Sequence, residues 1–412
     1  MNDDKLIPHL FRTEYRKIVA VLCKTFGLEH IEIAEDIASD TFLQASETWG
    51  IKGLPDNPAA WLNTVAKNKA RNYLKHNKIL LDKIMPGIKY SAPQTEETTI
   101  DLSDENIRDS QLKMMFAVCH PCIATEAQIA LALRVLCGFG IDEIASAFLT
   151  NKATINKRLV RAKDKLRRKN ISIELPLPDE INNRLDVVLR TLYLLYNEGY
   201  YTSQNENILR KELCYEAMRL TFSLIENEQT NLPQVNALFA LMSFHASRFE
   251  ARLNEKGEPV LYDEQDETLW DKRLIQQGKY FLQQSSHGKQ LSKYHLEAGI
   301  AYWHTYKENT KEKWENILQL YNQLLMLEYS PIIALNRTYA LSKANSIDEA
   351  IAEAEKLQLT HSHLYHSLLG ELYKNKNIQK AISHFLEALQ LAKTTEDKQL
   401  IQRKIDELYK KI

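Results

Sequence analysis

Apolar residues in this sequence recur at three- and four-residue steps rather than at every second position, and that period restricts the fold more than any other feature. Ile33, Ile37, Thr41 and Ala45 follow one another at i, i+4 spacing with Phe42 and Leu43 alongside. In the next segment Trp61, Val65, Asn68 and Asn72 share one face. Only 12 glycines and 11 prolines are spread over 412 residues, and uninterrupted β-branched runs are few, so there is little material for strands and tight turns. The period predicts an all-α chain, and the length predicts more than one core.

Two stretches interrupt the helical pattern. Leu81 to Glu105 holds Pro86, Gly87 and Pro93 and then the polar, acidic run QTEETTIDLSDE, which has too few spaced apolar residues for a packed helix and reads as a linker. The second is ELPLPDE at 174–180, where Pro176 and Pro178 end one helix and Asp179 can cap the next. The expected division is therefore 1–80, a linker at 81–105, then 106–172 and 179–412.

The formal net charge is -1, yet cations cluster locally. From Lys152 to Lys169 the chain carries Lys152, Lys157, Arg158, Arg161, Lys163, Lys165, Arg167, Arg168 and Lys169 against one acid, Asp164. Residues 141–148, IDEIASAF, predict a short helix with Ile141, Ile144, Ala145 and Phe148 inward. A tight break follows at Leu149, Thr150 and Asn151, and then a longer helix with Ile155, Leu159, Ala162 and Leu166 as its buried stripe. Thr154, Asn156, Lys157, Arg158 and Arg161 are expected to project outward. This is a helix-turn-helix pattern, whose second helix enters the major groove: polar residues near its start can read bases, and the arginines and lysines further along hold phosphates. Leu149 stands where such turns often place glycine.

Upstream lie AEDIASDTFLQASETW (34–49), the loop GIKGLPDNP (50–58) and AAWLNTVAKNKARNYLKHNK (59–78). These resemble the region 2 helices of extracytoplasmic-function (ECF) RNA polymerase sigma factors, and the helix-turn-helix resembles their region 4. MFAVCHPCIATEAQIALALR within 115–169, followed by NNRLDVVLRTLYLLYNEGYYTS (182–203), is similar to the ECF group with a long C-terminal tetratricopeptide-like extension. The resemblance implies a factor that directs core RNA polymerase to specific promoters and assists their melting, and whose extension regulates it. Ala34 to Phe42 would pack on the polymerase, with Asp36, Ile37, Asp40 and Phe42 as its contacts. The loop from Lys52 to Asn57 would capture an extruded base of the minus-ten element. Trp61, Lys67, Asn68, Lys69, Arg71 and Asn72 would face the melting strand. Lys152, Thr154, Asn156, Lys157, Arg158 and Arg161 would read the minus-thirty-five element. Trp61 also has Val65 at i+4, the spacing of an ordinary core residue.

In the C-terminal half, SLLGELYKNKNIQKAISHFLEALQL (367–391) places Leu369-Gly370, Tyr373, Ala381, Phe385 and Ala388 in tetratricopeptide order, and IIALNRTYALSKANSIDEAIAEAEKL (332–357) is a degenerate copy. Such arrays bind peptides or helices on a concave face, or pack as scaffold; the sequence leaves both open. Leu185, Val188, Leu189, Leu192, Leu195 and Tyr196 lie on overlapping faces of one helix, more apolar surface than a solvated helix exposes, so this face must be covered.

Phosphate loops, nucleophile elbows and zinc-protease motifs are missing from the sequence, so no enzymatic activity and no cofactor are expected. Cys119-His120-Pro121-Cys122 has the spacing of a metal pair but lacks a second pair, so no metal site is expected; a buried cysteine and a turn on His120 and Pro121 is the plainer reading. Five cysteines, and an opening MNDDKLIPHLFRTEYRK with neither an apolar signal nor transit-peptide character, lead us to expect a cytoplasmic protein without a membrane span. The expected partners are core RNA polymerase, promoter DNA, and a protein or peptide on the C-terminal array. The alternative is a helix-turn-helix regulator that acts through protein partners without polymerase; it would have no need of the 34–72 block.

Overall fold

The computed structural model describes residues 3–84, 100–148, 150–200, 211–254, 260–288 and 290–410. Among these the secondary structure is helical, with no strand. The chain forms two compact units, Met1–Leu195 and Tyr196–Ile412.

The first unit opens with α1 (Asp3–Phe26), α2 (Ile31–Lys52) and α3 (Pro58–Ile84). Tyr15, Ile18, Val19 and Leu22 of α1 are fully buried, and this helix packs on both α2 and α3. Gly53 ends α2: its φ of 80° lies in the left-handed region, and its N–H donates to the Trp49 carbonyl at 3.0 Å. α3 runs through Leu81–Ile84, the first residues of the expected linker. The linker's middle, 85–99, lies outside the described residues, and its last two positions open α4 (Asp104–Val118), capped by Ser103. Lys24 donates to Asn106 at 2.6 Å and Asp109 at 2.7 Å, tying α1 to α4.

α5 (Thr125–Leu131) continues through a π-helical turn at Ala132–Leu136 into α6 (Ile141–Ala147), α7 (Lys152–Arg168) and α8 (Pro178–Tyr200). Asn151 caps α7, accepting from the Thr154 N–H. The expected stripe of Ile155, Leu159, Ala162 and Leu166 is buried, as are Leu185, Val188, Leu189, Leu192, Leu195 and Tyr196 of α8. Arg184 donates to the Phe116 carbonyl at 2.6 Å, a hydrogen bond between α8 and α4. At the α4–α5 turn Cys119 is buried, with its thiol pushed up to about 12 by that burial, and the Cys122 N–H donates to His120 Nδ1 at 3.1 Å. All five cysteines are free thiols.

The second unit takes in the end of α8, then α9 (Lys211–Ile225), α10 (Pro233–Ala246), α11 (Lys272–Ser285) and α12 (Lys293–Trp303). α10 is apolar all round and is packed by α9, α11 and α12, as a helix without a solvent face requires. From α13 (Lys311–Leu327) onward each helix packs on the next: α14 (Pro331–Ala344), α15 (Ile347–Leu357), α16 (His363–Tyr373), α17 (Ile378–Leu391) and α18 (Thr395–Tyr409). Gly370 and Phe385 meet where α16 crosses α17, and a Cβ on Gly370 would lie 2.9 Å from three atoms of the ring. No described helix is long and apolar enough to cross a membrane.

Candidate polymerase and nucleic-acid interface

Asp36 and Asp40 stand one turn apart on the exposed face of α2. Ile37 and Phe42, expected beside them as polymerase contacts, are instead 8% and 4% exposed. Phe42 sits edge-on to the Phe11 ring at 5.0 Å. Their side chains serve the core of the three-helix bundle.

Lys52 ends α2 and Asn57 lies in the loop that precedes α3, both exposed. Asn57 also has a structural role, because its Oδ1 accepts from the Ala60 N–H at 3.0 Å and so satisfies the start of α3. Trp61 is half-buried, edge-on to the buried Trp49 at 5.3 Å. Further along α3, Asn68, Arg71 and Asn72 are exposed and Lys67 and Lys69 half-buried, with Lys69 Nζ 4.0 Å from Asp40. One cation of α3 therefore lies beside one acid of α2.

Lys152, Asn156, Lys157 and Arg161 are exposed on α7. Thr154 is half-buried, and its hydroxyl donates to the capping oxygen of Asn151 at 3.0 Å. Lys152 pairs with Asp142 of α6 at 2.5 Å. Arg158 does not project freely: it is half-buried, with its guanidinium carbon 5.1 Å from the Phe148 ring centre and Nη1 buried without a partner. The intervening Leu149 lies outside the described residues.

The rear of α7 has a role that periodicity and charge clustering did not reveal. Lys163 Nζ meets Glu35 at 2.5 Å and Arg134 Nε meets the same carboxylate at 3.0 Å, while Arg167 meets Glu32 at 2.6 Å. Glu35 is only 8% exposed, so two cations converge on one buried acid. Arg134 also donates to the Phe139 carbonyl at 3.1 Å and lies over Tyr15, whose hydroxyl is pushed up to about 12, first by burial and then by Glu35. The run from Lys152 to Lys169 is thus two surfaces. Its front faces solvent, and its rear ties the helix-turn-helix to α2.

The comparisons agree with this geometry. Residues 10–79, which contain α2 and most of α1 and α3, match sigma-70 region 2, so the first unit carries a domain of sigma factors. Residues 184–286 match a family of unknown function (DUF6596). An uncharacterized protein of Rhizobium meliloti (strain 1021) is 30% identical over 394 residues, covering 92% of this chain and 90% of that protein. The chain belongs to the family of that protein. No solved structure matches it.

Proposed function

We propose that this protein is an ECF-type sigma factor. Core RNA polymerase binds the acidic face of α2 at Asp36 and Asp40. Lys52, Asn57, Trp61, Lys67, Asn68, Lys69, Arg71 and Asn72 meet the minus-ten element, and the front of α7 reads the minus-thirty-five element. The second unit, with its tetratricopeptide-like helix pairs, regulates this activity and offers a surface to a protein or peptide. The protein works in the cytoplasm without a catalytic step of its own.

The observation that carries the reading is the match to sigma-70 region 2 over 10–79, in a chain whose later helices form a capped helix-turn-helix with exposed cations. A regulator working without polymerase needs only the second of these. The test is capture of purified core polymerase by the full chain. Replacing Asp36 and Asp40 by Arg reverses charge on an exposed face and spares the core, so the fold is retained and the complex weakens. Unchanged capture would place the polymerase surface elsewhere.

The front of α7 gives a finer test. Arg161→Ala weakens binding to all DNA and flattens its salt dependence, because a phosphate contact carries no sequence information. Asn156→Ala relaxes discrimination at one promoter position, by about 1–3 kcal/mol. Identical, sequence-independent losses would overturn the division of roles.

A further inference from the structure

Around Tyr262 in the second unit, polar groups are buried in a pattern that the described residues do not complete. Lys313, in the first turn of α13, is 1% exposed; its Nζ donates to Tyr262 Oη at 3.1 Å and to the Tyr306 carbonyl at 2.6 Å. Arg248, just past α10, is 9% exposed, with its guanidinium carbon 5.4 Å from the Tyr262 ring centre and its Nε buried without a hydrogen-bond partner. Trp270 is 3% exposed, its ring 6.2 Å from that of Tyr262, and its Nε1 is likewise unpartnered. The His304 ring lies 5.1 Å from Tyr262 with Nδ1 unpartnered.

Two cations are thus brought to one aromatic ring, and neither makes an ion pair among the described residues. The neighbouring acids Asp263 and Glu267 are exposed. Burying a cation without a carboxylate, or an N–H without an acceptor, opposes folding. The ring face offsets part of that cost, but it accepts no hydrogen bond from Arg248 Nε or Trp270 Nε1. What would satisfy the group is negative charge with several acceptor lone pairs, which is what a carboxylate or phosphate presents to an arginine fork.

We propose that the second unit holds a small oxyanion, a carboxylate or phosphate, between Arg248, Lys313 and Trp270 beside Tyr262. His304 supports the same assignment: burial, Arg248 and Lys313 together push its pKa down to about 3, so it stays neutral and adds no repulsion among the cations. The site involves no residue of the first unit. It stands or falls independently of polymerase binding.

The experiment is calorimetric titration of the full chain with inorganic phosphate and, separately, with acetate, at fixed ionic strength. One-to-one saturable binding of at least one of them is expected, and the preferred anion separates a phosphate site from a carboxylate site. Arg248→Met lowers affinity at least tenfold, Arg248→Lys lowers it less, and Arg273→Met, at an exposed position on α11, leaves it unchanged. Circular dichroism establishes that each variant is folded. Should Arg248→Met fail to fold, Trp270→Phe removes one donor and keeps an aromatic ring at the position; a several-fold loss is expected. No saturable binding of either anion would overturn the proposal, and so would binding that none of the Arg248 and Trp270 variants alters.

Discussion

Two lysines, one in each unit, are almost removed from solvent, and their surroundings differ in kind. The Lys163 side chain is 12% exposed and ends on the Glu35 carboxylate; Lys313 is 1% exposed and ends on a phenol and a backbone carbonyl. The first arrangement is closed, since acid and cations neutralise one another and fix the rear of α7 to α2. The second is open, since Lys313 makes no ion pair among the described residues and only the exposed Asp263 acts on its charge from a distance. A buried cation with its acid is architecture; a buried cation without one leaves room for a ligand to supply the charge.

Breaking the closed arrangement has the largest expected effect. Glu35→Gln keeps the shape but leaves the half-buried Lys163 and Arg134 beside a neutral amide. Removing one partner of a buried ion pair costs about 3–5 kcal/mol. Denaturant unfolding of the full chain should show the loss in the transition of the first unit. An effect no larger than that of an exposed pair would show that Glu35 is already well solvated.

The open arrangement predicts the opposite sign. Burial lowers the Lys313 pKa from 10.5 to about 8, so between those values the unfolded chain binds more protons than the folded one. Stability of the second unit should therefore rise as pH rises from about 8 to about 10.5. Lys313→Met removes that rise and stabilises the unit at neutral pH. A melting curve series across this range measures both, and a slope that persists in Lys313→Met would assign the titration to another group.

A smaller effect tests the packing that surrounds neither lysine. Gly370→Ala drives a methyl group against the ring of Phe385, which is 1% exposed, and overpacking of this kind costs about 1–3 kcal/mol. Calorimetric unfolding reads it directly. An unchanged second unit would mean that α16 and α17 separate without penalty.

Much of this fold is legible in the sequence. The stripe Ile155, Leu159, Ala162, Leu166 follows from period alone, and the cation run from Lys152 to Lys169 ends one residue beyond α7. The covered face of α8 is equally plain, because an apolar surface of that size does not remain in water. The pairing of Glu32 and Glu35 with Arg134, Lys163 and Arg167 is not legible. Those partners stand 99 to 135 residues away, and a charge has no local signature that reveals whether it is solvated or paired. Lys313 is hidden for the same reason, since KEKWEN reads as the charged start of a surface helix.

The pairing also bears on where the chain can be cut. Arg184 of α8 donates to the Phe116 carbonyl, and Leu185, Val188, Leu189 and Leu192 of the same helix are buried. A fragment ending at Asn170 would strip this cover, so the first unit needs residues up to about Leu195.

As a sigma factor, this chain would confer promoter specificity on core RNA polymerase. Run-off transcription with purified core enzyme, genomic fragments and the full chain tests it most directly. Discrete transcripts that require the chain, and that weaken with Asp36→Arg and with Arg161→Ala, are the predicted result. Sequence-specific DNA binding by the chain with no transcript from core polymerase would contradict it and leave a helix-turn-helix regulator in its place.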